Sequence, residues 1–226
     1  TLDQIFDFSR AKYKLLYQED FVVFSPEPFI RVENNIISTY PMKGTMDAAI
    51  ENAKKVLLED PKELAEHYTI VDLLRNDLSM VAKKVRVERF RFVETIKTHE
   101  KELLQTSSKI TGELQPGWQN SIGDIISALL PAGSVSGAPK KKTVELIREG
   151  EAYERGYFTG IFGYFDGINL DSAVMIRFIE NINGQFWFKS GGGITSFSSC
   201  EKEYQELIHK IYLPIFNETG QDDNQV

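Results

Sequence analysis

Cysteine and long apolar runs are the features that this sequence of 226 residues most clearly lacks. Cys200 is the only cysteine, so an internal disulfide bond is excluded. No stretch approaches the roughly 18–20 consecutive apolar residues of a bilayer-crossing helix, and the N-terminal segment does not have the layout of a signal peptide. The sequence therefore predicts a cytoplasmic protein that does not engage a membrane.

An excess of basic residues is also missing. The 26 Lys and Arg residues are outnumbered by 33 Asp and Glu residues, and the net charge is −7. Because nucleic-acid-binding domains usually present a basic face, no nucleic-acid partner is predicted. An anionic small molecule is still possible where a site is locally positive or contains a metal ion.

Nucleotide-binding patterns are not found in the two glycine-rich segments, Pro131–Lys142 and Lys189–Ser196. Neither segment matches GxxxxGK[ST] or GxGxxG. Each is either a tight turn or a place where backbone N–H groups approach anionic oxygens closely.

Strand-like and helix-like patterns come in blocks along the chain, which favours an α+β fold with antiparallel sheets. The predicted strands are Phe21–Phe24, Phe29–Glu33, Asn35–Tyr40, Val85–Glu94, Glu102–Leu114, Tyr157–Phe165, Ser172–Glu180 and Gln185–Ser190. Helices are predicted at the N-terminus, over Met46–Glu59, from Pro61 to about Asp77, and over Ser121–Leu130, Lys140–Glu149 and Ser199–Tyr212. No repeat or linker divides the chain, so we expect one domain, residues 1–216, followed by a disordered polar tail, residues 217–226.

Two pairs of acidic residues lie on predicted helices. Glu63 and Glu66 are three residues apart and share a helical face, as do Glu203 and Glu206, with Lys210 one further turn along. Carboxylates at this spacing can bind a hard divalent cation such as Mg²⁺, or they can form an ordinary solvated acidic face.

Two further segments place a reactive group on a constrained backbone. Lys43 lies between a strand end and a glycine, where it is either a nucleophile with a lowered pKa or an exposed loop lysine. Glu27 lies between two prolines, which fix its backbone direction and suit either acid–base chemistry or a simple turn. His67 is expected to pack in its helix or to support a neighbouring site residue, since the three histidines have no metal-site spacing.

Taken in order, the motifs of this sequence resemble the chorismate-utilising enzymes, a family that includes anthranilate, aminodeoxychorismate, isochorismate and salicylate synthases. The resemblance runs from about Phe21 to Ile215. It is carried by SPEPF, YPMKGT, KELAEHYTIVDLLRNDL, LPAGSVSGAPK, GYFTGIFGYFDG, MIRF, SGGGI and EKEYQE. It implies antiparallel sheets that form a sandwich with helices packed outside, and further N-terminal strands that this sequence does not contain.

The resemblance also implies roles for individual residues. Glu66 and Glu206 would bind Mg²⁺, and Glu63 and Glu203 would lie close behind them. The metal would bind the ring carboxylate of chorismate. Thr45 would contact the substrate ring. The residues that would bind the enolpyruvyl carboxylate are Tyr157, Arg177 and Lys210, together with the backbone amides of Gly191, Gly192 and Gly193.

Position 43 distinguishes members of the family. Anthranilate synthases resemble P-I-A-G-T at this place and aminodeoxychorismate synthases resemble P-I-K-G-T, while this sequence has Pro41-Met42-Lys43-Gly44-Thr45. The resemblance implies that Lys43 attacks ring carbon 2, that Glu27 protonates the departing hydroxyl of carbon 4, and that ammonia then adds at carbon 4. It further implies a separate glutamine amidotransferase subunit that delivers the ammonia.

One residue departs from the family pattern. The family usually has a histidine where this sequence has Gln105, and in anthranilate synthases that histidine is tied to the elimination of pyruvate. Glutamine cannot shuttle a proton as imidazole does, so an anthranilate synthase is less favoured. An isochorismate synthase and an inactive chorismate-binding fragment are also compatible with the sequence.

Overall fold

The structure, a computed structural model, describes residues 1–97, 102–196 and 198–213. The helices are α1 (Leu2–Phe8), α2 (Ala53–Glu59), α3 (Pro61–Ser79), α4 (Ile122–Leu129), α5 (Gly133–Ser136), α6 (Lys140–Gly150) and α7 (Cys200–His209). The strands are β1 (Tyr13–Tyr17), β2 (Phe21–Ser25), β3 (Pro28–Glu33), β4 (Ile36–Thr39), β5 (Met42–Asp47), β6 (Lys83–Lys97), β7 (Glu102–Glu113), β8 (Ile161–Phe165), β9 (Leu170–Val174), β10 (Phe178–Ile182) and β11 (Gln185–Lys189).

All strand pairs are antiparallel in the described parts of the chain, which confirms the predicted α+β class. The chain divides into two compact units, one made of Thr1–Pro26 with Met175–Val226 and the other of Glu27–Val174. The single domain expected over residues 1–216 stays a prediction, and the tail expected at residues 217–226 lies outside the described residues.

The unit that contains both chain ends is built on a four-stranded sheet with the order β1-β2-β10-β11. Every residue of β2 is buried, and Val22, Phe24 and Ile179 pack with Leu2 of α1. Thr1 caps α1 in a capping box with Gln4, which satisfies N–H groups that the first helical turn leaves unpaired.

The unit Glu27–Val174 is built on a seven-stranded sheet with the order β5-β7-β4-β3-β9-β8, and β6 pairs with the other side of β7. Helix α3 packs against β5, β6 and β7. It begins where local chemistry predicts, because the Asp60 carboxylate accepts the N–H of Glu63 and Pro61 occupies the first turn. In the described residues, no helix has the length and apolar composition for a membrane crossing.

Three predicted elements differ from the observed ones. Met46–Glu59 is not one helix, because β5 continues to Asp47 in its pairing with β7 and α2 begins only at Ala53, after Asn52 in a left-handed conformation (φ 56°). Tyr157–Phe165 forms a strand only from Ile161, since residues 157–160 make a turn with Thr159 at φ 67°.

The third difference concerns the predicted strand Ser172–Glu180, which the structure divides in two. Strand β9 ends at Val174 and β10 begins at Phe178, and the two strands belong to different sheets. Arg177 has φ 54°, a left-handed conformation that a continuous strand cannot contain. This break places Arg177 at a corner of the chain.

Candidate functional site

The first turns of α3 hold two carboxylates close to strand β5. Glu63 and Glu66 lie on one helical face, and a Cβ atom added to Gly44 of β5 would lie 2.9 Å from Oε2 of Glu63. Gly44 also has φ +79°, so this close approach requires glycine. Burial, together with the charge of Glu66, raises the pKa of Glu63, because a second negative charge in a partly buried place is unfavourable.

Lysines contact the Glu66 carboxylate from two sides. Nζ of Lys43 lies 3.5 Å from Oε2, and Nζ of Lys62 lies 3.7 Å from Oε1. A hydrogen bond that the Thr106 hydroxyl donates to the Lys43 carbonyl holds the backbone of Lys43 in place. Lys62 is not among the predicted site residues, although its spacing of four residues from Glu66 on a helix is the signal that predicts such a pair.

Thr45 and Gln105 are cross-strand neighbours beyond an irregularity in β5. The register between β5 and β7 shifts between Lys43 and Thr45. Nε2 of Gln105 donates a long hydrogen bond of 3.4 Å to Oγ1 of Thr45. The residue that departs from the family pattern therefore contacts a predicted substrate-binding residue.

In the other unit, α7 carries the second pair of carboxylates. The Ser199 hydroxyl caps α7, Glu203 is buried, and Oε1 of Glu206 is 2.5 Å from Nζ of Lys210. The same ammonium group donates a hydrogen bond of 3.3 Å to the Gly191 carbonyl. These contacts join the predicted metal-binding and carboxylate-binding residues of this unit.

The glycine segment that contains Gly191, Gly192 and Gly193 lies close to α7. The Ser190 hydroxyl donates to the Leu207 carbonyl at 3.2 Å, and a Cβ atom added to Gly192 would lie 3.8 Å from Oε2 of Glu203. Gly191, Gly192 and Gly193 lie in no helix or strand. Their backbone N–H and C=O groups are therefore not all engaged in the hydrogen bonds of a regular element.

The Nε atom of Arg177 is buried and has no hydrogen-bond partner among the described residues. The guanidinium group lies over the ring of Tyr212, 5.4 Å from the ring centroid. An unpaired buried N–H group is costly, and a guanidinium binds a carboxylate through two parallel hydrogen bonds. Arg177 is therefore suited to an anionic ligand.

Glu27 and Tyr157, the remaining predicted residues, belong to the unit Glu27–Val174. Glu27 is half-buried between its two prolines, and its carbonyl accepts the N–H of Val174 at 3.1 Å. Tyr157 is exposed in the turn before β8, where its carbonyl accepts the N–H of Gly160 at 3.0 Å.

The two carboxylate pairs have the chemistry that Mg²⁺ prefers. They supply hard oxygen donors, and burial, with the charges of Glu66 and Asp60, raises the pKa of Glu63 although Lys62 and Lys43 act in the opposite direction. Across residues 1–97, 102–196 and 198–213, no three His, Cys, Asp or Glu side chains are grouped as a metal site requires. The magnesium site therefore stays a prediction.

Curated relatives and a solved structure are similar to this chain. Two relatives, each named "Uncharacterized PabA-like protein", come from Haemophilus influenzae (56% identical) and Pasteurella multocida (58% identical), and each alignment covers 95% of this chain. The chain spans 66% of the length of these curated relatives. The crystal structure of anthranilate synthase component I from Streptococcus pneumoniae TIGR4 matches with a TM-score of 0.75 and 34% identity, over 88% of this chain and 45% of that one. Because the sequence matches the chorismate binding enzymes over residues 3–215, the chain belongs to the chorismate binding enzyme family.

Proposed function

We propose that this chain aminates chorismate at ring carbon 4 to give 4-amino-4-deoxychorismate, the precursor of p-aminobenzoate in folate synthesis. The observation that carries the proposal is the position of Lys43, whose amine lies 3.5 Å from a carboxylate of the candidate metal site. We expect an amine at this place to reach the ring of a metal-bound substrate. The anthranilate synthases have alanine at this position of the family motif and so lack such an amine.

The proposed reaction has two displacements, and its bonds balance. The neutral Lys43 amine forms a bond to carbon 2 and releases a proton to solvent, the two ring double bonds shift, and the carbon 4 hydroxyl leaves as water with a proton from Glu27. Ammonia then adds at carbon 4 and releases a proton, the double bonds shift back, and the bond between Lys43 and carbon 2 breaks as the lysine nitrogen takes up a proton. The covalent intermediate divides one difficult substitution into two easier steps.

The other residues of the site bind and orient the substrate in this proposal. Glu66 and Glu206, supported by Glu63 and Glu203, would hold Mg²⁺, which would offset the negative charge of the chorismate dianion. The enolpyruvyl carboxylate would be bound by Arg177, Tyr157, Lys210 and the amides of Gly191–Gly193. The proposal thus uses the unpaired N–H of Arg177 and the exposed hydroxyl-bearing ring of Tyr157.

An anthranilate synthase is the second candidate, and the similarity to the Streptococcus pneumoniae enzyme favours it. Two residues oppose it. In this proposal Lys43 would occupy the space from which ammonia would reach carbon 2, and the amide of Gln105, which contacts Thr45, cannot act as a general acid or base near neutral pH. An isochorismate synthase would use water in place of ammonia, and an inactive module would bind chorismate without converting it.

A coupled assay separates these candidates. The protein is mixed with chorismate, Mg²⁺ and ammonium salt, and an aminodeoxychorismate lyase is added. We expect p-aminobenzoate only when the lyase is present. Anthranilate that forms without the lyase would support the second candidate. Chorismate that binds, as measured by calorimetry, but is not consumed would support the inactive module.

The Arg177→Lys substitution tests the carboxylate site. Lysine keeps the charge but loses the planar fork that binds a carboxylate with two hydrogen bonds. Because a hydrogen bond to a charged group contributes about 1.5–3 kcal/mol, we expect the Kd for chorismate to rise about tenfold or more, measured by calorimetry. Arg148→Lys on the exposed side of α6 is the matched control. Equal affinities for wild type and Arg177→Lys would mean that Arg177 has only a structural role.

The ammonia source provides a prediction about a partner. Glutamine hydrolysis by a thiol needs a reactive cysteine with a histidine and an orienting carboxylate, and Cys200, the only cysteine, is exposed at the first residue of α7. We expect this chain alone to use ammonium salt but not glutamine, and to use glutamine once a glutamine amidotransferase subunit is added. The Cys200→Ser variant should keep the ammonium-driven reaction. Glutaminase activity of the isolated chain that is lost in Cys200→Ser would contradict the two-subunit proposal.

A further inference from the structure

His67 is bonded to the sheet directly behind the acidic face of α3. Its ring is completely buried, and Nε2 lies 2.7 Å from the hydroxyl oxygen of Ser108, a buried residue of β7. The edge of the ring meets Phe90 of β6, with centroids 5.5 Å apart and an interplanar angle of 76°. His67 follows Glu66 in sequence, so this hydrogen bond holds the helix at the place where it presents its carboxylate.

Ser108 also connects this bond to strand β5. Its backbone N–H donates to the Pro41 carbonyl at 2.9 Å, immediately before β5 begins. Lys43 is two residues further along. One residue of β7 is therefore bonded through its side chain to the helix that carries Glu66 and through its backbone to the residue just before the strand that carries Lys43.

The end of α2 is attached to the same point through Arg91. The backbone N–H of Arg91 donates to the Ser108 hydroxyl oxygen at 2.8 Å, and its buried guanidinium donates to the carbonyls of Leu57 and Leu58 at 2.8 and 2.5 Å. Those carbonyls belong to the last turn of α2, just before α3 starts. The start of α3 is thus fixed both at the preceding helix and at His67.

The remaining interactions of the His67 ring indicate that it holds a fixed orientation and takes no part in catalysis. Burial, helped by the charges of Arg91 and Lys43, lowers the pKa of His67 to about 4. Its Nδ1 is buried and has no hydrogen-bond partner in the described parts of the chain. The hydrogen bond to Ser108 is then the polar contact that determines how the ring is oriented.

We propose that His67 is a positioning residue whose Nε2 contact with Ser108 sets the rotation of α3, so that Glu63 and Glu66 face Lys43. This inference rests on the proposed function only in taking these carboxylates as metal ligands. Without the contact, α3 keeps its apolar packing on the sheet but is free to rotate slightly. The carboxylate of Glu66 then moves away from Lys43 and from the metal.

The test compares three substitutions of His67. A leucine side chain removes the hydrogen bond, a glutamine side chain reaches the place of Nε2, and an asparagine side chain reaches only the place of Nδ1. In calorimetry with Mg²⁺ alone, we expect His67→Leu and His67→Asn to raise the Kd about tenfold, since loss of groups that orient metal ligands costs roughly 10–100-fold in affinity. We expect His67→Gln to restore most of the affinity.

Matched controls separate positioning from a general loss of stability. Val71→Ala removes buried volume one turn further along α3 and should lower the urea midpoint without changing the Kd for Mg²⁺. Ser108→Ala removes the other half of the contact, provides a second route should a His67 variant fail to fold, and should weaken Mg²⁺ binding as His67→Leu does. Combined with His67→Leu, it should add little.

The reactivity of the Lys43 amine provides a test that needs no metal. The ion pair with Glu66 shields this amine, so its acetylation rate, measured by mass spectrometry against the exposed Lys141, should rise in His67→Leu and return in His67→Gln. Wild-type Mg²⁺ affinity and wild-type acetylation of Lys43 in folded His67→Leu would overturn the inference. If the wild type made no aminodeoxychorismate while these His67 effects were seen, the proposed function would fail and the positioning role would stand.

Discussion

Replacing Lys43 by alanine is expected to abolish amination of chorismate at carbon 4, with a loss of at least about 10³-fold in kcat, the scale on which removal of a catalytic nucleophile acts. In the proposed mechanism the covalent step is lost, because the Lys43 amine, 3.5 Å from Glu66, is the group assigned to form the bond to carbon 2. The space left by the side chain would admit ammonia to carbon 2 instead. The coupled p-aminobenzoate assay measures the loss, and product analysis detects the alternative attack.

The covalent intermediate can also be detected directly. Wild-type protein incubated with chorismate and Mg²⁺, without ammonia, should show a mass adduct that peptide mapping assigns to Lys43. Lys141→Ala, a change on the exposed face of α6, is the matched lysine control and should retain both the adduct and the activity. Undiminished amination by Lys43→Ala would rule out the nucleophile assignment.

The second large effect is expected from Glu66→Gln and Glu206→Gln. Each substitution keeps the size of the side chain but removes one negative charge from a site with few carboxylates. We expect each to raise the Mg²⁺ concentration needed for activity by more than the roughly 10–100-fold that loss of an outer-shell partner costs. Glu66→Gln also removes the ion-pair partner of Lys43 and Lys62.

Mg²⁺ titrations of activity, supported by calorimetry with Mg²⁺ alone, measure this effect. Glu59→Gln, at the exposed end of α2, is the matched control and should titrate like the wild type. If the curves of all three variants overlay that of the wild type, the metal is bound elsewhere and the roles assigned to Glu66 and Glu206 are wrong.

Local chemistry allowed several features to be predicted from the sequence. The start of α3 follows from Asp60 and Pro61, a side-chain acceptor followed by a residue suited to the first turn. The spacing of Glu63 and Glu66 placed both on one helical face, and the structure shows them next to Gly44 and Lys43. The antiparallel α+β class follows in the same way from short alternating segments separated by turn residues.

Predictions failed where pairing with distant strands outweighed local pattern. The helical spacing from Met46 to Glu59 was misleading, since the first residues of that segment pair with β7. The alternating pattern of Ser172–Glu180 gave no sign of the corner at Arg177, because a positive φ in a non-glycine residue is imposed by surrounding structure and has no local signal.

The sequence by itself determined the family, the fold class and the residue types available for chemistry: paired carboxylates, a lysine before a glycine, and an arginine that the sequence placed within a strand. Only the tertiary structure decided which of these groups meet. Lys43 contacts Glu66, and His67 contacts Ser108, across strands and a helix that are far apart along the chain. Helical or strand periodicity fixes the face on which a side chain lies, but sheet register and the rotation of α3 on that sheet fix its partner, and both are set by packing of the whole unit.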